Sequence, residues 1–229
     1  MARWIAAFVL AASVVVGAGA PPAGKILIAG DSTSADFGKG YWITGWGVPL
    51  KCRVTAQVVD LARGGRTAKA FADEGLWEKL RAQVEPGDVV LIQFGTNDGF
   101  QKLDPDRQYG PYLEGFARDV TAAKGRPIIL SPVARLTYSG SRLDDAHAPY
   151  TVAARAAAAR SGADFIDLDA KSMALINQQG QAASQRMYQP DRTHFTQQGA
   201  ALIADLIARA LADRGLATRV EDTAACDNR

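Results

Sequence analysis

Short apolar runs rich in β-branched residues recur along the chain at Lys25–Gly30, Val54–Leu61, Asp88–Phe94, Pro127–Ser131 and Asp164–Leu168, and each reads as a strand. Between them lie helical patterns over Thr67–Val84, Pro111–Lys124, Asp145–Arg160 and Thr196–Arg214. The last places Leu202, Ile203, Leu206, Ile207 and Leu211 in the i, i+3, i+4 rhythm of a one-faced helix. Asp205 and Arg209 sit four residues apart on its other side, spaced to pair weakly. Ala153–Ala159 is almost all alanine, a strong helix former that packs closely. Strand alternating with helix predicts a parallel sheet with helices on both faces. No repeat, low-complexity linker or charge block interrupts it, so residues 21–229 are expected to form one α/β domain.

The first twenty residues follow a different pattern. Arg3 precedes an apolar run from Trp4 to Val16, and small residues close the segment at Ala18-Gly19-Ala20. That is the layout of a secretory leader cleaved after Ala20. The run is about 13 residues, short of the roughly 20 that span a bilayer. The mature protein is therefore expected in the periplasm or outside the cell, with no membrane partner.

Composition narrows the chemistry. In 229 residues, 26 Lys and Arg stand against 24 Asp and Glu, a net charge of +2 that argues against a polybasic nucleic-acid surface. Two cysteines are too few for a zinc ribbon or an iron–sulfur cluster. Any imidazole chemistry must run through His147 or His194, since there is no third histidine, and a three-histidine metal site is excluded.

Parallel α/β sheets bind ligands at the carboxyl ends of their strands, which makes the residues after each strand informative. These are Gly30-Asp31-Ser32-Thr33 after the first, Ala62-Arg63-Gly64-Gly65-Arg66-Thr67 after the second, and Gly95-Thr96-Asn97-Asp98 after the third. Asp191-Arg192-Thr193-His194 stands before the last helix. Taken singly, each also reads as a helix cap, a tight turn or an Asx-turn. Together they bring a hydroxyl nucleophile, a flexible backbone donor and a carboxamide to one edge. A serine needs an adjacent base, and imidazole suits that task near neutral pH. Asp191, three residues before His194, can hold Nδ1–H and leave Nε2 for the serine. An ester carbonyl under attack becomes an oxyanion that the Ser32 and Gly65 N–H groups and the Asn97 amide can receive.

The order GDS, Gly, GTND, DxxH resembles the SGNH (GDSL) hydrolase superfamily. More closely, GDST, ARGGRTAKAF, IQFGTNDG, YGPYLEGF, LSPVAR and DRTHFTQQGA resemble its rhamnogalacturonan acetylesterase branch, from about Lys25 to about Leu211. The resemblance implies Ser32 as nucleophile, Asp191 and His194 as the rest of a triad, and Ser32, Gly65 and Asn97 as the oxyanion hole. Matching GRT to the branch's GRS favours Gly65 over Gly64. It also implies a flavodoxin-like α/β/α sandwich with a five-stranded parallel sheet ordered 2-1-3-4-5. No metal or organic cofactor is required, and a monomer acting on a polysaccharide or oligosaccharide acetyl ester, most closely acetylated pectin, is expected. In that topology Cys52 lies before the second strand at the edge opposite the site. The last helix descends toward the same edge, with Cys226 a dozen residues beyond its end. An oxidising compartment permits a disulfide between them.

The remaining candidates carry weaker signals. Asp31, Arg66, Asp98, Trp42 and Tyr109 are the candidate substrate contacts, with loop orientation the better role for Arg66 and Asp98. Tyr41, Trp42, Phe100 and Tyr109 follow strands at the site edge and could stack on sugar rings, with an ordinary half-buried aromatic the better reading of each taken singly. Trp46 is expected in the core. His147, in a polar stretch, is expected to be exposed and inert. A lipase, arylesterase or thioesterase of the same superfamily would use the same residues. A non-catalytic carbohydrate-binding protein of this fold is the other class, and the full Ser, Gly, Asn, Asp, His set speaks against it.

Overall fold

The computed structural model describes residues 24–216. The leader segment and Cys226 lie outside the described residues; Cys52, inside them, is not a free thiol.

The sheet is built from five parallel strands, β1 (Ile26–Gly30), β2 (Val58–Asp60), β3 (Val89–Gln93), β4 (Arg126–Leu130) and, after a two-residue hairpin of β5 (Tyr138–Ser139) and β6 (Arg142–Leu143), β7 (Asp164–Ile166). Their order is β2-β1-β3-β4-β7, which is 2-1-3-4-5 over the five strands of the sheet, as the resemblance implied. Ile26 pairs with both Val58 and Val89, and Gly30 ends level with Gln93. Both faces are covered. Ile26, Ile28, Leu91 and Ile128 pack on one side, while Leu27, Ala29, Val90, Ile92 and Ile129 pack on the other. With no solvent face to serve, central strands become continuous apolar runs.

The first face is covered by α1 (Gly47–Leu50), α7 (Leu168–Gln179) and α9 (Gln197–Ala212). The second is covered by α2 (Ala68–Asp73), α3 (Leu76–Arg81), α5 (Gly110–Ala122) and α6 (Ala148–Ser161). Two shorter helices, α4 (Thr96–Phe100) and α8 (Gln181–Ser184), follow β3 and α7. Alanines do what small residues do between helices: Ala153, Ala154, Ala157 and Ala158 are buried where α6 packs.

Several boundaries depart from the periodicity. The helix expected over Thr67–Val84 is two, because Glu74 ends α2 and Gly75 turns the chain at φ 70° before α3. The strand expected from Val54 begins only at Val58; Val54 is buried in an isolated bridge after the turn that follows α1. The last strand stops at Ile166, because the Asp167 side chain accepts the Ala170 N–H at 3.0 Å and caps α7, which the pattern did not reveal. Asp205 does not pair with Arg209. It binds Arg53 Nε at 2.5 Å instead, and Arg53 also donates Nη1 to the Pro49 carbonyl. A buried guanidinium, with 5% side-chain exposure, holds that carboxylate far more firmly than a solvated neighbour could.

Candidate active site

The first strand delivers Ser32, the expected nucleophile. After Gly30 the chain folds into a tight turn in which Ala35 N–H returns to the Asp31 carbonyl at 3.1 Å and Thr33 N–H donates to Asp31 Oδ1 at 2.9 Å. Ser32 sits at its apex, 7% exposed. His194 Nε2 lies 2.9 Å from Ser32 Oγ, and His194 Nδ1 lies 2.7 Å from Asp191 Oδ2. A carboxylate only accepts, so Nδ1 carries the proton and Nε2 presents its lone pair to the serine.

The loop that carries His194 and Asp191 is closed on itself. Tyr188 and Phe195 form an antiparallel bridge, and Gln189 N–H donates to the His194 carbonyl at 2.7 Å. Arg192 N–H returns to the Gln189 carbonyl, with Arg192 at φ 63°. Asp191 Oδ1 accepts both the Thr193 and His194 N–H groups at 2.9 Å. Burial pushes the Asp191 carboxyl up, but the His194 imidazole and these backbone donors outweigh it and hold the group below its ordinary value. It therefore stays ionised opposite the imidazole.

The second and third strands supply the donors. Gly65 has φ 78°, a conformation that L side chains rarely adopt, and open space lies where its Cβ would be. Among the described residues, neither the Ser32 nor the Gly65 N–H has an acceptor. Asn97 Nδ2 donates one hydrogen to the Arg66 carbonyl at 3.1 Å, which ties α4 to the Gly64–Arg66 loop and leaves the second hydrogen unspent.

The candidate substrate contacts divide by burial. Asp31, Asp98 and Tyr109 are fully buried and cannot touch a polysaccharide, which corrects the substrate-contact expectation for Asp31 and Tyr109 and leaves Asp98 the loop-orienting role expected of it. Tyr109 donates its hydroxyl to the Phe94 carbonyl at 3.0 Å. Asp98 accepts the Gly95 and Ala68 N–H groups and so joins the β3–α4 turn to α2; burial pushes its pKa up to about 7. Arg66 is spent as well, with Nη1 on the Gly64 carbonyl and Nε on Glu74, and it braces the donor loop. Trp42 alone of the five presents a free surface. It is 55% exposed, with its indole 5.8 Å from the His194 ring and edge-on to it. Tyr41 continues this wall, stacked on Phe37 at 5.2 Å.

Asp31 belongs to a buried chain of contacts. Thr33 Oγ1 lies 2.7 Å from Asp31 Oδ1 and 2.9 Å from Gln93 Oε1, and Gln93 Oε1 also accepts from Trp46 Nε1 at 3.2 Å. The indole only donates, which fixes Gln93 Oε1 as the acceptor; one hydroxyl proton cannot then serve both neighbours. A proton on Asp31 satisfies every contact, and burial raises its pKa in the same sense.

His147 is the other correction. It is 3% exposed rather than solvated, because it opens α6 against the Val133 segment. Burial and then the Arg135 charge depress its pKa to about 4, and it stands apart from the Ser32 relay. Sequence reading also missed Gln93, whose role depends on a register, and Gln189, whose Nε2 donates to the Trp42 carbonyl at 2.5 Å. A groove of about 450 Å³, lined among others by Tyr138, Gln185, Tyr188, Gln189 and Arg192, runs along the same loop.

Residues 28–202 match the model of the GDSL-like lipase/acylhydrolase family. The Bacillus subtilis protein named "Probable rhamnogalacturonan acetylesterase YesY" is 30% identical over 206 residues, 85% of this chain and 95% of its own length. The rhamnogalacturonan acetylesterase RhgT of the same organism is 28% identical, over 84% of this chain and 91% of its own. Among solved structures, Bacillus subtilis YxiM superposes with a TM-score of 0.76 at 25% identity over 83% of this chain; the match spans little over half of that protein, 56%. The acetylxylan esterase Axe2 of Geobacillus stearothermophilus shares the fold, with a TM-score of 0.61 at 19% identity over 82% of this chain and 92% of that one.

Proposed function

The chain belongs to the GDSL-like lipase/acylhydrolase family and is a carboxylic ester hydrolase, and from that premise we propose that it is an exported carbohydrate esterase removing O-acetyl groups from acetylated pectin of the rhamnogalacturonan type. The observation that carries the reading is the unbroken relay from Ser32 through His194 to Asp191, at 2.9 and 2.7 Å.

In this reading Ser32 Oγ attacks the acetyl carbonyl while His194 Nε2 takes its proton. The imidazolium that forms is stabilised by Asp191, which is already ionised. Charge building on the carbonyl oxygen meets the Ser32 and Gly65 N–H groups and the unspent Asn97 hydrogen. His194 then protonates the departing sugar oxygen, leaving an acetyl group on Ser32. Water, deprotonated by the same imidazole, attacks that ester and releases acetate, and the proton returns to the serine. The exposed Trp42 face beside His194 supports a sugar as the leaving group, since an aromatic ring offers an apolar platform to a pyranose face.

Ser32→Ala tests the assignment. Acetate release from acetylated rhamnogalacturonan is expected to fall at least about 10,000-fold, with the melting temperature unchanged within a few degrees. A variant that retains its activity refutes the nucleophile, and a wild-type enzyme that prefers long acyl chains over acetyl refutes the substrate class.

A further inference from the structure

Arg135 lies against the loop that carries Asp191 and His194 and makes no direct ion pair among the described residues. Its Nε donates to Thr193 Oγ1 at 2.9 Å, and Thr193 immediately precedes His194. Its guanidinium carbon lies 4.5 Å from the centroid of the Phe100 ring, which extends from the end of α4, the helix that carries Asn97. The side chain is thus pinned between an aromatic face and the loop carrying Asp191 and His194. Among the described residues no carboxylate comes within hydrogen-bonding or ion-pairing reach of it, whereas Arg66, on the donor loop, is paired with Glu74.

This arrangement has a cost. Arg135 is half-buried, and desolvation lowers its pKa while the more distant Asp191 raises it. A guanidinium stays charged regardless, so the protein holds a cation partly out of water with its Nη1 and Nη2 hydrogens unspent. Holding a partly desolvated charge without a partner is unfavourable. A ligand that brings the anion removes that penalty, and the planar fork matches a carboxylate bidentately. The pectin-type backbone has one such group, the uronate carboxylate.

We propose that Arg135 is a specificity-determining residue that receives the carboxylate of a uronate unit at or beside the acetylated sugar, so that acetyl esters on acidic polysaccharide are hydrolysed in preference to those on neutral ones. The inference rests on the acetylesterase reading above and names the feature of the substrate that the site selects.

The test compares two forms of one polymer: acetylated rhamnogalacturonan with free uronate carboxyls, and the same material with those carboxyls methyl-esterified. Acetate release gives kcat/KM on each for the wild type, Arg135→Gln and Arg135→Lys. The wild type is expected to favour the free acid. Arg135→Gln is expected to lower the ratio of the two about 10- to 100-fold, the range for a hydrogen bond to a charged group, and chiefly through KM on the free acid. Arg135→Lys keeps the charge but loses the fork, and should fall between. Added salt should narrow the wild-type ratio and leave that of Arg135→Gln flat. A loss equal on both polymers overturns the proposal, because Arg135 would then only brace Thr193. So does a wild type, active on both, that shows no preference. A wild type inactive on both overturns the acetylesterase reading itself, and the proposal with it.

Discussion

Each functional side chain in the candidate site is held by a second residue whose own chemistry is spent on holding it. Asp191 fixes the tautomer of His194, Asp98 fixes the turn before Asn97, and the Arg66 carbonyl takes one of the two Asn97 amide hydrogens. The remaining hydrogen is what Asn97→Ala would remove. Losing one preorganised oxyanion donor costs about 100- to 1,000-fold in kcat, and KM for an aryl acetate should change by less than about threefold, because the donor acts on charge that the ground state lacks. Steady-state kinetics on 4-nitrophenyl acetate separates the two. A variant that raises KM and spares kcat would place Asn97 in ground-state binding instead. The motifs that hold Ser32, Gly65, Asn97, Asp191 and His194 were legible in the sequence because each is a short contiguous stretch after a strand or before a helix. Asp31 and Tyr109 were misjudged as surface contacts because adjacency to the site says nothing about exposure. Burial comes from elements distant along the chain, as with Asp98, whose carboxylate accepts the N–H of Ala68 thirty residues earlier.

At the scale of elements, α9 sets the position of the triad loop. Its N-cap Thr196 accepts the Gly199 N–H at 3.1 Å and donates its hydroxyl to the Arg186 carbonyl at 2.7 Å, so helix and loop are tied at one residue. Gly199 comes so close to the backbone that a Cβ would lie 1.9 Å from the Met187 carbonyl oxygen. Backbone cannot yield as a side-chain tip can. Gly199→Ala should therefore push the start of α9 away from the Tyr188–Phe195 bridge. The expected loss is about 1–3 kcal/mol of stability, with kcat falling further than that because His194 moves off Ser32. Chemical denaturation together with kinetics checks both, and full activity at unchanged stability would show that the contact relaxes. The periodicity of α9 was readable, since one apolar face meets one sheet. The breaks at Gly75 and Asp167 were not, because a cap competes locally with a pattern that runs on through it.

At the scale of the whole molecule, buried ionisable groups make stability depend on pH. Asp60, Asp98 and Asp169 are each pushed up to about 7, mainly by burial, and burial raises Asp31 as well. Unfolded, such carboxyls lose their protons near pH 4. Between roughly pH 4 and 7 the native state therefore binds more protons through them than the unfolded chain does, and their contribution falls as pH rises. His147 acts in the opposite sense: depressed from 6.5 to about 4, it leaves the extra proton to the unfolded chain in that window, and its contribution falls as pH drops. Four carboxyls outweigh one imidazole. The melting temperature is expected to rise by several degrees as pH is lowered from 8 to about 5, and Asp98→Asn should flatten the rise. Circular-dichroism melts across that range check it; a melting temperature that falls steadily on acidification would overturn the balance.

Chain pattern alone sets the alternation of strand and helix, and with it the sheet edge at which four short motifs meet. Those features are local, written in periods of two or three to four residues and in the few residues that can end a strand. Which polar groups near that edge face solvent and which are sealed inside depends on the packed molecule. Burial is a sum over distant elements, and it turned Asp31, Asp98 and Tyr109 inward, hid His147, left Trp42 standing beside His194 and Arg135 without an ion pair beside Thr193. A charge's environment is three-dimensional. The candidate motifs could be read along the chain, and what surrounds them could not.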